Sequence, residues 1–372
     1  MSATPQPLLI TTDVPLSEEI QRLAAVAGCG LQRVADPSEV GEYWRTAPAV
    51  VLDAAAAARC VELALPRRPG VLLLHTSDDT DFWRAAFRVG AEHTLALPDD
   101  DAELVDRLAG TVECSGPHRA EVLGVLGGCG GAGASVLAAA AALAAAQRGD
   151  RCLLLDGDPC GGGLDLAVGT EEADGLRWSG LTVSGGRIAA SALAEALPGR
   201  RFGAGTLSVL AGDRDDGAPP DLGAGAVDAV VTAARRVYDT VVCDLPRTVG
   251  ELTNVGLRHC DLSVVVVPAE VRACAATAQV VRSLAGNLGS SRAVVRGPAR
   301  SGLTSTDVGR AVGLDVLTTI RSNPALPVAL DRSGLGGTRF AGRGPLARGA
   351  REVLAELTAV SAAGELRRDG AA

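Results

Sequence analysis

The sequence GVLGGCGGAGASVLAAAAAL, residues 124–143, decides the fold of the larger part of the chain. An apolar run leads into glycines, and an alanine-rich stretch typical of a helix follows, so the segment predicts a strand, a tight loop and a helix in succession. In that setting backbone N–H groups of the loop and of the first helical turn converge and favour an anion. The spacing of Gly128, Gly133 and Ser135 fits the phosphate-binding pattern G-x-x-x-x-G-K-[ST], but Ala134 stands where the pattern has lysine.

The composition favours an α/β protein and disfavours a nucleic-acid binder. Of the 372 residues 47% are hydrophobic but only 2% are aromatic, so the core must consist mainly of Val, Leu and Ala, as in parallel sheets. The net charge of −9 argues against binding through broad neutralisation of nucleic-acid phosphates, and we expect no nucleic-acid partner. All 35 cationic residues are arginines, yet the missing lysine is replaced by Ala134 and not by arginine.

The cysteines and the hydropathy predict a cytoplasmic protein. Nine scattered cysteines without a C-x-x-C pair are typical of free thiols in a reducing compartment. Residues 1–7 lack the basic and apolar regions of a secretory signal peptide, and the longest apolar stretch, residues 136–146, is too short to span a bilayer.

The chain divides into two blocks in which strand and helix patterns alternate. We predict a first domain over residues 1–112, a linker over 113–120, a second domain over 121–345, and a C-terminal helix and tail over 346–372. In the second block, near-continuous Val and Leu runs predict a mostly parallel sheet buried on both faces. Two of these runs end in acids, Asp156 and Asp158 in the first and Asp244 in the second, at the strand ends where ligands bind in open α/β sheets.

The second block resembles the MinD/ParA superfamily of deviant P-loop ATPases. In that family the loop reads KGGxGK[ST], the next strand ends in D-x-D, and a later strand carries a further acid followed by proline. The residues of this chain that fall on those positions are Cys129, Gly130, Gly131, Ala132, Gly133, Ala134 and Ser135 in the loop, Asp156 and Asp158 in the D-x-D motif, and Asp244 with Pro246.

The resemblance implies ATP or ADP with Mg²⁺ as the cofactor. It places the nucleotide on the loop, residues 128–136, which begins at Gly128 and ends at Val136, and it places Mg²⁺ at Ser135, Asp156 and Asp244. Asp158 would remain as a vestige of the residue that positions the attacking water. Arg296 stands where relatives have an asparagine that reads adenine.

Both family lysines are absent, at Cys129 and Ala134, which predicts weakened binding and more strongly impaired hydrolysis. Three outcomes stay open: binding with little or no hydrolysis, slow hydrolysis rescued by an arginine, and no binding. The arginines that follow strand ends and could serve as the rescuing cation are Arg247, Arg272 and Arg296.

Within the superfamily, the chain resembles the branch with an N-terminal receiver-like domain. That branch contains CpaE/TadZ pilus-localisation proteins and Ssd-type septum site-determining proteins of actinobacteria. The stretches that carry the likeness are GGAGAS (130–135), GLRW (175–178), VVCDLPR (241–247), VRACAA (271–276) and VVRGP (294–298). The resemblance implies a regulator that marks the septum or, alternatively, a pilus or secretion assembly site. It further implies a nucleotide-dependent homodimer and division or pilus-assembly partners.

The first block resembles a response-regulator receiver. Asp53 falls at the phospho-acceptor position, and Thr76 or Ser77 falls at the hydroxyl position. Only Asp13 represents the acidic pair that holds magnesium in receivers, and Leu97 replaces the lysine before proline. We therefore expect a degenerate receiver that docks or dimerises, with phosphorylation of Asp53 as the alternative.

The C-terminal segment has apolar residues at helical spacing and charges of both signs, including Arg348 and Glu352. The mixed charge favours a helix that closes the domain over a basic amphipathic helix that makes peripheral contact with the inner face of the membrane.

Overall fold

The structure is a computed structural model. It describes residues 6–41, 43–68, 70–75, 80–113, 119–158, 161–181, 188, 190–212, 222–297, 302–338 and 340–369. The chain divides into two compact units, residues 1–118 and 119–372, and the division falls within the predicted linker. Most of that linker, residues 114–118, lies outside the described part of the chain.

Unit 1 is a parallel five-stranded sheet with the order β2-β1-β3-β4-β5. Apolar side chains are buried on both faces of this sheet, which is why its inner strands are short runs of Val and Leu. Its strands are β1 (Leu8–Ile10), β2 (Gln32–Val34), β3 (Val50–Leu52), β4 (Val71–His75) and β5 (His93–Ala96). Its helices are α1 (Val14–Val26), α2 (Tyr43–Thr46), α3 (Ala54–Glu62), α4 (Thr80–Val89) and α5 (Asp101–Glu113).

The described residues of unit 2 form an eight-stranded sheet with the order β13-β12-β11-β6-β10-β7-β9-β8, and among them only the β8–β9 pair is antiparallel. Its strands are β6 (Glu121–Gly127), β7 (Arg151–Asp156), β8 (Gly199–Phe202), β9 (Gly205–Leu210), β10 (Thr240–Leu245), β11 (Leu262–Pro268), β12 (Ser291–Gly297) and β13 (Val316–Arg321). Its helices are α6 (Ala134–Arg148), α7 (Leu164–Val168), α8 (Ala190–Ala196), α9 (Ala224–Val237), α10 (Glu251–His259), α11 (Val271–Leu284), α12 (Ser305–Val312), α13 (Leu326–Ser333) and α14 (Pro345–Asp369). The predicted α/β class, with a receiver-like domain before a mostly parallel sheet, is confirmed.

Helix α6 is the centre of the larger core. Its alanines have the highest intrinsic helix propensity, and almost all of them are buried because small side chains let the helix lie close to the sheet. Gly149 ends the helix in the left-handed conformation, with φ of 118°. Helix α6 thus begins at the loop and runs back through the core, which fixes the position of the loop.

Helix α14 packs against α6 and completes this core. Val353, Leu354 and Leu357 are buried in the same apolar cluster as the alanines of α6. Outside that cluster, Glu356 pairs with Arg292 at 2.9 Å. The apolar face of the helix is therefore used inside unit 2, as expected of a domain-closing helix. Among the described residues, no helix is long and apolar enough to cross a membrane.

Three strands were not predicted from the sequence: β2, β8 and β13. Each lies at an edge of its sheet. Strand β8 has the sequence GRRF and is largely exposed, and β13 is mostly half-buried or exposed. Edge strands carry polar residues and lack the continuous apolar run that reveals an inner strand.

Candidate nucleotide-binding site

The loop between β6 and α6 forms a compact turn whose glycines are required by its backbone. The N–H of Ala132 donates to the carbonyl of Cys129 at 3.3 Å, which closes a turn with Gly131 at φ of 69°. Gly133 follows at φ of 96° as the residue that caps α6, and it has no side chain to occupy the N–H groups of the first turn. A loop of this form leaves backbone donors at the head of a long helix, where an anion is favoured.

The loop is pressed against strand β11 and helix α11. The N–H of Gly128 donates to the carbonyl of Val266 at 2.9 Å. A Cβ on Gly128 would lie 2.7 Å from Cγ2 of Thr277 and closer still to its hydroxyl, so only glycine fits there. Thr277 is fully buried, and its hydroxyl donates to the carbonyl of Ala273 at 2.7 Å. The start of the loop is therefore held by tertiary packing.

Two buried carboxylates lie beneath the loop on neighbouring strands. Asp244 of β10 and Asp156 of β7 are partners in the parallel register, and each is 4% exposed. Ser135, in the first turn of α6, lies close enough to Asp244 for its hydroxyl to lower the pKa of that carboxyl. The pKa of Asp244 is raised to about 7, mainly by burial; the Ser135 hydroxyl lowers it, and the neighbouring Asp156 and Asp158 add to the rise.

Asp156 organises the segment that follows β7. Its two carboxylate oxygens accept the N–H of Asp158 at 3.2 Å and the N–H of Leu164 at 2.9 Å. Burial raises its pKa to about 6, and these two hydrogen bonds oppose the rise. Gly157 is required between the two acids because a Cβ there would lie 2.7 Å from the carbonyl oxygen of Asp244.

An Mg²⁺ ion fits the oxygen donors of Ser135 and Asp244, since this ion prefers hard oxygen ligands and P-loop proteins hold it with such a pair. Asp156 lies next to them, but each of its oxygens already accepts a backbone N–H, so its metal role stays a prediction. Asp158 is exposed at the strand end, and its water-positioning role also stays a prediction. Within the described ranges, no group of three or more His, Cys, Asp and Glu residues could hold a metal ion.

At the two lysine positions of the family the side chains are apolar and partly buried. Cys129 and Ala134, together with Val136, pack against the core around α6. These side chains carry no positive charge towards a ligand, so the remaining loop contribution comes from backbone N–H groups and from Ser135.

Two of the three candidate arginines lie against the loop. Nη1 of Arg296 donates to the carbonyl of Gly131 at 3.0 Å, and a Cβ on Gly133 would lie 3.5 Å from the same nitrogen. A Cβ on Gly130 would lie 3.5 Å from Nη1 of Arg247. Arg272 is exposed in the first turn of α11.

The receiver-like acids of unit 1 serve as helix caps. Asp53 precedes α3 and accepts the N–H of Ala56 at 2.6 Å, and its other carboxylate oxygen accepts the hydroxyl of Thr11. Asp13 precedes α1 and accepts the N–H of Leu16 at 3.1 Å. Leu97 packs against the apolar core of this unit. The predicted hydroxyl residues, Thr76 and Ser77, lie outside the described part of the chain.

Three residues of the site were not given a role from the sequence: Thr277, Arg177 and Trp178. Nε1 of Trp178 donates to the carbonyl of Asp156 at 2.7 Å. Arg177 pairs with the fully buried Asp165. In the sequence, GLRW carries only a resemblance, because nothing in the spacing between residues 156 and 178 predicts that they are in contact.

Family models match both units. The model described as "Rv3660c-like, CheY-like N-terminal domain" matches residues 10–120. The model described as "Cellulose biosynthesis protein BcsQ" matches residues 120–286. The two matches meet at residue 120, next to the division between the units.

A full-length relative and two solved structures extend these matches. The "Uncharacterized protein Rv3660c" of Mycobacterium tuberculosis (strain ATCC 25618 / H37Rv) is 44% identical over 353 residues, which cover 93% of this chain and 96% of that protein. The MinD cell division protein of Aquifex aeolicus is 21% identical with a TM-score of 0.52, and the match covers 64% of this chain and 98% of that one. The septum site-determining protein MinD of Pyrococcus horikoshii OT3, complexed with Mg-ADP, is 16% identical with a TM-score of 0.51 and coverage of 63% and 96%. At these identities the two structures establish the fold of unit 2.

Proposed function

This chain belongs to the family of the Mycobacterium tuberculosis protein Rv3660c, and we propose that its second unit is a nucleotide-binding regulator that marks a site in the cell. The observation that carries the proposal is the contact between Ser135, at the head of α6, and the buried Asp244 of β10. This contact joins a loop built for an anion to an acid suited to a divalent cation. A nucleotide bound to Mg²⁺ combines anionic phosphates with a divalent cation in one ligand.

The ligand we propose is ATP or ADP with Mg²⁺. The loop from Gly128 to Val136 would hold the phosphates through backbone N–H groups, and Ser135 with Asp244 would hold the metal ion. When bound, the metal ion would neutralise phosphate charge and the charge of the buried acid below. The MinD structure of Pyrococcus horikoshii, which shares the fold, is a complex with Mg-ADP.

The absence of both loop lysines should weaken nucleotide binding less than it slows hydrolysis. Loss of one charge-assisted contact to phosphate costs about 1.5–3 kcal/mol, or roughly a ten- to hundredfold loss of affinity. Phosphoryl transfer depends more strongly on cations, since a single arginine finger changes the rate by about 10³–10⁵. We therefore propose a protein that binds nucleotide and hydrolyses it slowly or not at all.

The cellular role we propose is septum site determination, as the likeness to Ssd-type proteins implies. A nucleotide-dependent homodimer would switch affinity for division proteins, since a switch of this kind needs only different ligand affinities in two states. The protein would act in the cytoplasm, with peripheral contact at the inner face of the membrane. The alternative is a CpaE/TadZ-like role with pilus-assembly partners, and imaging a fluorescent fusion in the native host distinguishes the septum from a pilus site.

Calorimetric titration of the full chain with ATP and ADP, with and without Mg²⁺, tests the binding proposal. We expect binding that strengthens with Mg²⁺, and light scattering should show a larger mass with nucleotide than without it. Absence of heat for both nucleotides at millimolar concentration would contradict the proposal. One constant mass would contradict the dimer switch.

A cycling ATPase is the second candidate, favoured by the exposed Asp158 and by the arginines beside the loop. Phosphate release above background that disappears in Asp158→Ala supports it. Asp331→Ala, an exposed acid on α13, is the matched control. Phosphate release that is equal in both variants contradicts a role for Asp158.

A further inference from the structure

Two guanidinium groups flank the glycine loop. The two positions that hold lysine in the family, Cys129 and Ala134, carry no positive charge. The group of Arg296 is hydrogen-bonded to the loop at Gly131, and that of Arg247 lies beside Gly130. We refer to Arg247 and Arg296 as the arginine pair. Their positions on the loop differ, since Arg296 also borders Gly133, the N-cap residue of α6.

The sheet order explains how these two side chains reach the loop. Strand β6 leads into the loop, β10 is its neighbour on one side, and β12 lies beyond β11 on the other side. Because the strands are parallel, their carboxyl ends meet at one edge of the sheet. Arg247 follows the end of β10 and Arg296 is the penultimate residue of β12, so the arginine pair approaches the loop from opposite sides.

The charges of the site are layered. The arginine pair lies at the level of the loop backbone, whereas Asp156 and Asp244 are buried beneath the loop with Ser135 next to Asp244. This layering suits a polyphosphate with a divalent cation, since the phosphates would meet guanidinium and N–H donors and the cation would meet carboxylate and hydroxyl oxygens.

We propose that Arg296, assisted by Arg247, supplies the positive charge that the loop lysines would otherwise provide and grips the phosphates of a nucleoside di- or triphosphate from β12 and β10. This inference rests on the nucleotide-binding function proposed above. It assigns Arg296 to the phosphates, one of the two roles that the sequence leaves open for this residue, and not to the base. The hydrogen bond to Gly131 holds Arg296 against the loop before any ligand is bound.

Arg296 is the stronger partner of the pair. It is half-buried and fixed to the loop by the Gly131 hydrogen bond, whereas Arg247 is exposed. A guanidinium has five N–H donors in a rigid fork, so the bond to Gly131 leaves donors for an anion. A lysine at position 296 would keep the charge but lose the fork.

Nucleotide titration of full-length variants tests the inference. We expect Arg296→Gln to weaken Mg-ATP and Mg-ADP binding about ten- to hundredfold, Arg296→Lys to lose less, and Arg247→Gln to lose less than Arg296→Gln. The matched control is Arg310→Gln, an exposed arginine on α12, which should bind as the wild type does. The thermal midpoint of each nucleotide-free variant should equal that of the wild type.

The salt dependence separates a phosphate contact from a structural role. If Arg296 contacts phosphate, the affinity of the wild type should fall with added salt more steeply than that of Arg296→Gln. Wild-type binding that is unchanged in Arg296→Gln, or an equal salt slope in both proteins, overturns the inference but leaves the binding function intact. Absence of binding by the wild type overturns both.

Discussion

Asp53 of unit 1 and Asp244 of unit 2 both lie at the carboxyl end of a parallel strand, yet their surroundings differ. Asp53 is half-buried and both of its carboxylate oxygens are satisfied, one by the first turn of α3 and the other by Thr11. Asp244 is almost fully buried, and its neighbour Ser135 belongs to a different element, helix α6. The two acids share a topological position, but only the second lies beneath a loop with open backbone donors.

The difference shows what converts a strand-end acid into a ligand site. Where a helix begins directly after the strand, as α3 does after Asp53, the carboxylate caps that helix. Where a glycine begins the neighbouring helix, as Gly133 does for α6, the helix N-terminus has no side-chain cap and is left for a ligand. Whether the residue before the helix has a side chain that can cap it therefore decides between a structural role and a ligand site.

Blocking the uncapped N-terminus of α6 should have the largest effect on nucleotide binding. Gly133→Asp places a carboxylate among the loop donors at a φ of 96° that side chains rarely adopt, so we expect at least a hundredfold loss of nucleotide affinity, equal to about 2.7 kcal/mol. Calorimetry with Mg-ADP measures it. Gly225→Asp, at an exposed position in the first turn of α9, is the matched control and should bind normally. Tight binding by Gly133→Asp would show that the loop is not the site.

Ionisation of the buried acids should make the nucleotide-free protein lose stability as pH rises. The pKa of Asp244 is raised from 3.8 to about 7, so between these values the folded state binds more protons than the unfolded state. The free energy of unfolding should fall with pH in this window by up to about 1.4 kcal/mol per pH unit for one such group. Asp156, with a pKa of about 6, acts in the same direction.

Urea unfolding in EDTA at pH 5 to 8 measures this slope. Asp244→Asn should be more stable than the wild type at pH 8, and this difference should shrink as the pH falls towards 5, because the amide has no proton to lose in the core. Asp331→Asn, on the exposed surface of α13, should keep the wild-type slope. A wild-type slope in Asp244→Asn as well would mean that this carboxylate does not titrate in the window.

The cap in unit 1 should show the smallest effect. Asp53→Ala removes the acceptor for the N–H of Ala56, and we expect a loss of about 1 kcal/mol, whereas Asp53→Asn keeps a capping oxygen and should lose less. Thermal unfolding measures both variants. Labelling by acetyl phosphate that is present in the wild type and absent in Asp53→Asn would instead support the phospho-acceptor role.

Local patterns in the sequence predicted the elements that build the site. The glycines at 128–133 and the alanines that follow predicted a strand, loop and helix, and the Val and Leu runs predicted inner parallel strands. The edge strands β2, β8 and β13 escaped prediction because their residues are polar or half-exposed. The capping role of Asp53 escaped prediction because capping and phosphorylation both place an acid at the end of a strand.

By itself the sequence determined the α/β class, the order of the two units and the presence of a glycine loop without lysine. These features follow from the local period of apolar residues and from single residue types, which act within a few positions along the chain. Only the tertiary structure decided that Ser135 meets Asp244, that Thr277 requires glycine at 128, and that Arg296 reaches Gly131. Such contacts join residues more than 100 positions apart, and the sheet order that brings them together has no signature in the spacing of residues.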